Sequence, residues 1–123
     1  MKQINQSKKK SASAIPDQQQ LLIVSLKLSD GETGNQDDNE YVEDLEQKLV
    51  EKVEELEFAF WDGHEFGEGY AKIFLYTTDV DLLYKELYKT LKNVNFTPGS
   101  LIILQYKQSP IEHFVIDPNK LLD

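Results

Sequence analysis

The spacing of apolar residues changes from segment to segment along this chain, and each spacing predicts an element. The run 21–28 starts as continuous apolar residues and ends in alternation, which predicts a strand buried on both faces in its first half. The polar segment 29–39 predicts a loop that ends at a helix N-cap, either Asp38 or Asn39. A helix of roughly four turns follows. It is predicted from apolar residues three and four apart: Val42, Leu45, Leu49, Val53 and Leu56.

A predicted hairpin comes next. Segments 57–61 and 70–78 are rich in aromatic and β-branched residues, which favour strands. Segment 62–69 between them contains three glycines and predicts the turn that pairs them.

The rest of the chain predicts a second helix and two more strands. Asp79 is the predicted N-cap, and 101–106 and 111–116 are the predicted strands. The buried stripe of the second helix is predicted to be Val80, Leu83, Tyr84, Leu87 and Leu91. The order of elements predicts an α+β protein with a ferredoxin-like βαββαβ sandwich, in which two helices lie on one face of an antiparallel sheet, with an extra C-terminal strand.

Length and composition fit one domain preceded by a tail. The chain has 123 residues, of which 40% are apolar, enough for one modest core. Residues 1–20 are rich in Gln, Ser and Lys and are predicted to be a flexible N-terminal tail, since they have little apolar surface to bury. Residues 21–123 are predicted to form a single ferredoxin-like domain.

The net charge of −9 is concentrated in one part of the chain. Segment 30–57 holds twelve acids and two lysines, which gives it a net charge of −10. This field repels phosphate backbones and anionic lipid heads, and the chain has no arginine to bind phosphate or guanine bidentately. We therefore expect no nucleic acid and no membrane surface as a ligand, and we expect a basic protein partner. The predicted partner surface comprises Glu43, Glu51, Glu54 and Glu55. A second interpretation of the same acids is a solvated helix face that keeps the protein in solution.

The glycine-rich segment 62–69 is the first place to look for chemistry. It reads Asp-Gly-His-Glu-Phe-Gly-Glu-Gly, and its candidate binding residues are Asp62, His64, Glu65 and Glu68. A small enzyme or a metal-dependent site could use them, yet the zinc-protease spacing requires a helix rather than a turn. The competing interpretation is a structural turn in which the glycines supply left-handed or bulged backbone and the polar side chains are solvated.

No other segment provides a catalytic set. The loop after the first strand lacks the lysine of a phosphate-binding loop, and Asp79 and Asp81 match helix capping and dipole preferences better than a magnesium site. We therefore expect no catalytic residues, no metal and no cofactor.

Aromatic residues crowd the predicted hairpin, and alternation places some of them away from the helices. Phe58, Phe60 and Phe74 are predicted on the helix-free face of the sheet. Large exposed apolar patches are uncommon on monomers, so this face predicts a homodimer. A small-ligand sensor that binds at the sheet or at a dimer interface is an alternative.

Cysteine usage and hydropathy suggest the compartment. The chain has no cysteine, no stretch long enough to span a bilayer, and no apolar run behind Lys8–Lys10 that would make a signal peptide. We expect a cytoplasmic protein.

From Asp62 onward the chain resembles a family of small bacterial ferredoxin-like proteins of uncharacterised function that share an Asp-Gly-x-Glu-x-Gly-x-Gly hairpin. Segment 62–69 carries the motif, and similar residues follow in 73–76 and 79–83. A Pro-Gly-Ser turn at 98–100 also matches, as do Tyr106 and Glu112.

The resemblance implies a ferredoxin-like domain and picks out Glu65 and Gly67, but it implies no activity. Thr77 and Thr78 depart from the glycine-containing pair of the family. Because the resemblance implies no activity and segment 30–57 is strongly acidic, the leading hypothesis is a non-catalytic protein-binding module. Its most specific version is a toxin-neutralising immunity-type protein.

Overall fold

The computed structural model of this protein describes residues 19–29, 31–108 and 111–120. The predicted flexible tail falls almost entirely in 1–18, outside the described residues. The elements in chain order are β1 (Gln20–Lys27), α1 (Gln36–Glu54), β2 (Ala59–Gly67), β3 (Tyr70–Thr77), α2 (Val80–Lys92), β4 (Leu101–Gln108), β5 (Ile111–Ile116) and a 3₁₀ turn (Pro118–Lys120).

The predicted α+β class is confirmed. The described chain has two helices and one five-stranded sheet in the order β2-β3-β1-β4-β5, and every neighbouring pair of strands is antiparallel. The extra C-terminal strand pairs with β4 and forms one edge of the sheet, while β2 forms the other. Neither α1 nor α2, the helices of the described residues, has the length and apolar character that a membrane-spanning helix requires.

The core lies between the helices and one face of the sheet. In β1, every second residue from Leu22 to Leu26 is fully buried, and Leu22 faces Leu75 of β3 and Leu104 of β4 across the ladder. The buried stripes of α1 and α2 join these strand residues in a single cluster. Truncation of such a leucine to alanine typically costs about 2–5 kcal/mol of folding free energy. The predicted α2 stripe is buried, except that Tyr84 is only partly so.

Helix α1 begins earlier than predicted. Its N-cap is Asn35, whose side chain accepts from the backbone N–H of Asp38 at 2.9 Å. Asp38 is the third residue of the helix, and its carboxylate accepts in return from Asn35 N at 3.1 Å and from the hydroxyl of Ser29 at 2.8 Å. The prediction of Asp38 or Asn39 as the cap was wrong because the apolar stripe, which starts at Val42, does not reach into the polar first turn. The buried Asp38 ties the loop after β1 to the helix.

The hairpin turn is also shorter than predicted. Strand β2 runs through most of the glycine-rich segment to Gly67, and only Glu68 and Gly69 form the turn. Pairing continues because a bulge between Trp61 and His64 absorbs one extra residue, with Gly63 at φ 95°. Glu68 and Gly69 have φ values of 55° and 85°, as a two-residue type I′ turn requires.

Candidate functional site

The outer side of α1 carries exposed carboxylates in two groups separated by Gln47 and Lys48, and we call the whole surface the acidic face. Its members are the exposed acids Glu40, Glu43, Asp44, Glu51, Glu54 and Glu55. At 100° per residue they lie opposite the buried stripe of the helix, so every one of them points to solvent. Of the two lysines in this stretch, Lys52 lies 3.8 Å from Glu55 and 4.0 Å from Glu86 of α2. All four predicted partner-surface residues, Glu43, Glu51, Glu54 and Glu55, belong to this face.

A buried carboxylate lies on the opposite side of the same helix. Glu46 retains only 11% of its side-chain exposure. Its Oε2 accepts a hydrogen bond from Trp61 Nε1 at 2.8 Å and lies 2.8 Å from Nδ1 of His64. Both rings turn toward the helix because they face the core residues Leu75 and Ile73 across the ladder, on either side of the bulge.

Sequence reasoning did not select Glu46, although the chain carries a signal for it. Glu46 comes four residues after Val42 and three before Leu49, so it falls within the apolar stripe of α1. A charge at such a position is costly to bury without partners. A search for polar residues within an apolar stripe would have found Glu46. It would not have found Trp61 and His64, because they belong to β2 and their side depends on the bulge in that strand.

The four candidate residues of the hairpin do not converge. His64 faces α1, whereas Glu65 pairs across the ladder with Lys72 on the other side of the sheet, and Glu68 occupies the turn. Asp62 is exposed at the bulge. Burial of the ring raises the pKa of Tyr76, and the nearby charge of Asp62 raises it further. Within the described ranges no three His, Asp or Glu side chains come together in a way that would hold a metal ion.

The end of the hairpin forms a shallow groove. Glu65 and Glu68 line it together with Tyr70 and Lys72, around a volume of about 270 Å³. Glu68 adopts the left-handed backbone conformation that favours glycine or asparagine. The glycines at 63 and 69 supply left-handed backbone as predicted, while Gly67 does not have a positive φ.

A second groove opens where α1 ends beside the first residues of β2. We call it the edge groove, because β2 is an edge strand of the sheet. It encloses about 230 Å³ and is lined by Val50, Val53, Glu54, Leu56, Ala59, Phe60 and Trp61. Trp61 keeps 42% of its surface exposed there, although its indole N–H is held by Glu46. The groove therefore has apolar walls, a fixed tryptophan and one carboxylate at its rim.

The helix-free face of the sheet carries apolar residues on all five strands. Phe60 stacks on Tyr76 with ring centroids 5.6 Å apart and is 41% exposed. Phe74 lies in the next row, which continues through Ile23 and Ile103 to the exposed Val115 of β5.

The third predicted member of this face lies elsewhere. Phe58 precedes β2 and packs against the core cluster. Alternation does not extend to it, because the chain is in a turn at this residue rather than in the strand.

A surface pair links α2 to β4. The hydroxyl of Tyr106 donates to Asp81 Oδ1 at 2.6 Å. This hydrogen bond, with smaller contributions from burial and from the charge of Asp81, raises the pKa of Tyr106 to about 12. The N-cap prediction for Asp79 is confirmed, since its carboxylate accepts from Leu82 N at 3.1 Å.

Comparisons of the chain with protein-family models, with curated proteins and with solved structures found no significant match.

Proposed function

We propose that this protein is a non-catalytic protein-binding module that recognises a basic protein through the acidic face of α1. One observation carries the proposal: the exposed carboxylates lie on a single side of the helix, opposite the core. From Glu40 to Glu54 this surface extends over about 21 Å along the helix axis. Lys48 and Lys52 are the two lysines of this stretch, and Lys52 already engages Glu55 and Glu86, so the six carboxylates of the acidic face outnumber its lysines.

The charge arrangement suits fast recognition of a cationic surface. Fixed charges of one sign raise the local concentration of an oppositely charged partner and accelerate association, and salt screens the effect. Toxin neutralisation, as by an immunity protein, is the most specific version of the proposal. Its support is the acidic, cysteine-free composition of a small chain. The same composition supports a reducing, cytoplasmic setting.

The proposal includes the ferredoxin-like βαββαβ sandwich as the scaffold, in a form related to the bacterial hairpin family described above. Three features support it. The strands β2-β3-β1-β4 are adjacent in this order, each helix connects two strands that are not neighbours, and both helices share one core cluster. β5, outside β4, is an addition to the four-stranded form.

Affinity capture with paired variants tests the acidic face. The first variant changes Glu43, Glu51, Glu54 and Glu55 to glutamine. The comparison variant changes four exposed carboxylates in other elements: Glu32, Glu65, Glu68 and Glu112. Both variants change the net charge equally, so they differ only in which surface loses charge.

We expect the wild type and the comparison variant to capture the same basic protein from an extract of the source organism at about 0.1 M salt and to release it at about 1 M. The α1 variant should bind the purified partner at least about tenfold more weakly by calorimetry. Loss in the comparison variant with retention in the α1 variant would transfer the binding site to the hairpin. Capture that is insensitive to both salt and these substitutions would reject the proposal.

The helix-free face supports a homodimer as the assembly state. The area of this sheet face is about 600 Å², since five strands lie about 4.8 Å apart and eight residues span about 3.3 Å each. A standard protein interface buries roughly 800 Å² per partner, which is close to this area. The central row of the face is apolar on four strands, through Phe74, Ile23, Ile103 and Val115, and β2 adds Phe60 in the neighbouring row, so a copy of itself is a chemically matched cover. Light scattering coupled to size exclusion should give twice the chain mass for the wild type and the chain mass for Phe74→Glu. A monomeric wild type at micromolar concentration would contradict this assignment.

A further inference from the structure

We infer that the edge groove is the anchor point of the proposed interface, and that it takes a lysine or arginine side chain from an apolar and basic segment of the protein partner. The inference rests on the proposed function and names the partner chemistry and the residue that recognises it. Three properties of the groove carry it: its size, the fixed orientation of Trp61 and the position of Glu54.

The size of the groove favours a protein side chain. Pockets for small molecules and cofactors usually measure about 300–1,000 Å³. The edge groove encloses about 230 Å³ and is open at the edge of the sheet. It is therefore better matched to one long side chain that enters from a protein surface than to a metabolite that must be enclosed.

Trp61 is exposed and yet already oriented. Its indole N–H donates to the buried Glu46, which also lies within hydrogen-bond distance of His64. An aromatic side chain that is fixed before binding loses little conformational entropy when a partner covers it. Tryptophan is also the residue type most often found to dominate binding energy at protein interfaces. Glu46 and His64 act here as positioning residues for Trp61.

The walls and the rim select the occupant. Lysine and arginine have long apolar stems that cover apolar surface while their charged ends stay near water. Val50, Val53 and Leu56 offer such a surface, and Trp61 offers a ring face to a cation. Glu54 lies at the rim as the last residue of α1 and belongs to the acidic face, so a cation drawn to that face arrives beside the groove.

A second copy of this chain is a poor occupant of this groove. Its own segment 30–57 carries a charge of −10, so two copies brought together at α1 would repel each other. Repulsion of the same kind disfavours any other acidic protein as the partner. The homodimer proposed above uses the helix-free face and shares Phe60 with the lining of the edge groove, whereas Val53, Glu54 and Trp61 lie outside that face.

Three synthetic peptides of equal length test the inference without the natural partner. One alternates arginine with leucine, one alternates arginine with serine, and one alternates glutamate with leucine. The chain contains one tryptophan, so its indole N–H gives a single resonance in a nitrogen-edited NMR spectrum. Binding constants come from calorimetry. The protein variants are Trp61→Ala, Trp61→Phe and Glu54→Lys. Glu32→Lys is the control for net charge: it lies at the far end of the β2–β3 hairpin, where the backbone carbonyl of Glu32 accepts from Gly69 N.

We expect the arginine-leucine peptide to shift the Trp61 indole resonance and to bind most tightly of the three. Glu54→Lys and Trp61→Ala should weaken it by about tenfold, a typical effect for an aromatic anchor or a paired charge, while Glu32→Lys changes the constant less than about twofold. Trp61→Phe should recover part of the loss. Circular dichroism of each variant checks that the fold is retained.

Two other outcomes separate this inference from the proposed function. If both arginine peptides bind equally, the indole resonance stays fixed and Glu54→Lys matches Glu32→Lys, then the acidic face binds cations but the edge groove is not the anchor. If neither arginine peptide binds at about 0.1 M salt, the proposed function fails as well. Tight binding of the glutamate-leucine peptide would overturn the charge argument.

Discussion

Removal of the buried carboxylate of Glu46 should destabilise the protein far more than removal of an exposed one on the same helix. The perturbation is Glu46→Ala, and its control is Glu43→Ala, which removes the same charge from the solvent side of α1. Only Glu46 accepts from Trp61 and contacts His64 across the helix–sheet interface. Its loss therefore disconnects α1 from β2 at their point of polar contact.

The magnitude follows from the two contacts. A hydrogen bond to an ionised group contributes about 1.5–3 kcal/mol, so two of them could contribute about 3–6 kcal/mol if both were fully desolvated. The donors are partly exposed, Trp61 at 42% and the His64 side chain at 40%, so water replaces part of each bond in the variant. We expect a loss of about 2–3 kcal/mol for Glu46→Ala, against less than about 0.5 kcal/mol for Glu43→Ala.

Urea unfolding followed by Trp61 fluorescence and by circular dichroism measures both values. The single variant Trp61→Phe and the double variant Glu46→Ala with Trp61→Phe complete a cycle and are followed by circular dichroism, because they contain no tryptophan. We expect a coupling of about 1 kcal/mol between the two positions. Equal midpoints for Glu46→Ala and Glu43→Ala would refute the reasoning. A coupling of zero would show that the 2.8 Å contact contributes nothing to stability.

Two further predictions concern the loop after β1 and the surface tyrosine. Gly34→Ala should cost about 2–4 kcal/mol of unfolding free energy, because φ is 78° and the new Cβ would lie 2.8 Å from the Asp38 side chain. Gly31→Ala is the control, and it should cost about 1 kcal/mol because φ is 71° but the space around it is open. Equal urea midpoints for the two variants would contradict this. The pKa of Tyr106, about 12, exceeds its ordinary value of about 10, so its contribution to stability is complete below about pH 10 and is lost as pH rises toward 12. Screening by solvent limits that contribution to about 1 kcal/mol. In Asp81→Asn the pKa of Tyr106, measured by NMR titration of the ring, should be lower than in the wild type, and an unchanged pKa would contradict the assignment.

Periodic segments could be predicted from the sequence, and their boundaries could not. The stripes of α1 and α2 are apolar at spacings of three and four, and burial of these residues dominates the energy of each helix. The first turn of α1 is stabilised by side-chain to backbone hydrogen bonds, which leave no periodic trace. Asn35 and Asp38 form a capping box there, and a polar segment with several Asn and Asp residues offers many equally good caps.

The bulge in β2 explains most of what was missed at the candidate site. A segment with three glycines is typical of a turn, so the sequence places His64 with Glu65 and Glu68. In the structure one extra residue at the bulge keeps β2 paired and turns Trp61 and His64 to the same side. Their partner, Glu46, lies on α1, and its nearest sequence signal is an acid within an apolar stripe. Contacts between distant segments of this kind depend on register, which no local pattern contains.

The proposed role of Glu46 makes a prediction that separates stability from binding. Replacement of a whole buried ion pair by apolar residues of similar volume is often neutral or stabilising by about 1–4 kcal/mol, whereas removal of one partner is destabilising when the other stays buried. At Glu46 both partners are partly exposed, Trp61 at 42% and the His64 side chain at 40%. Glu46→Leu would continue the apolar stripe of α1, and the partly exposed Trp61 N–H could then bind water. We therefore expect Glu46→Leu to unfold at a urea concentration equal to or above that of the wild type, yet to bind the arginine-leucine peptide several-fold more weakly, because the Trp61 ring is no longer fixed. If Glu46→Leu loses stability and binds normally, Glu46 is a structural residue and Trp61 does not need it for recognition.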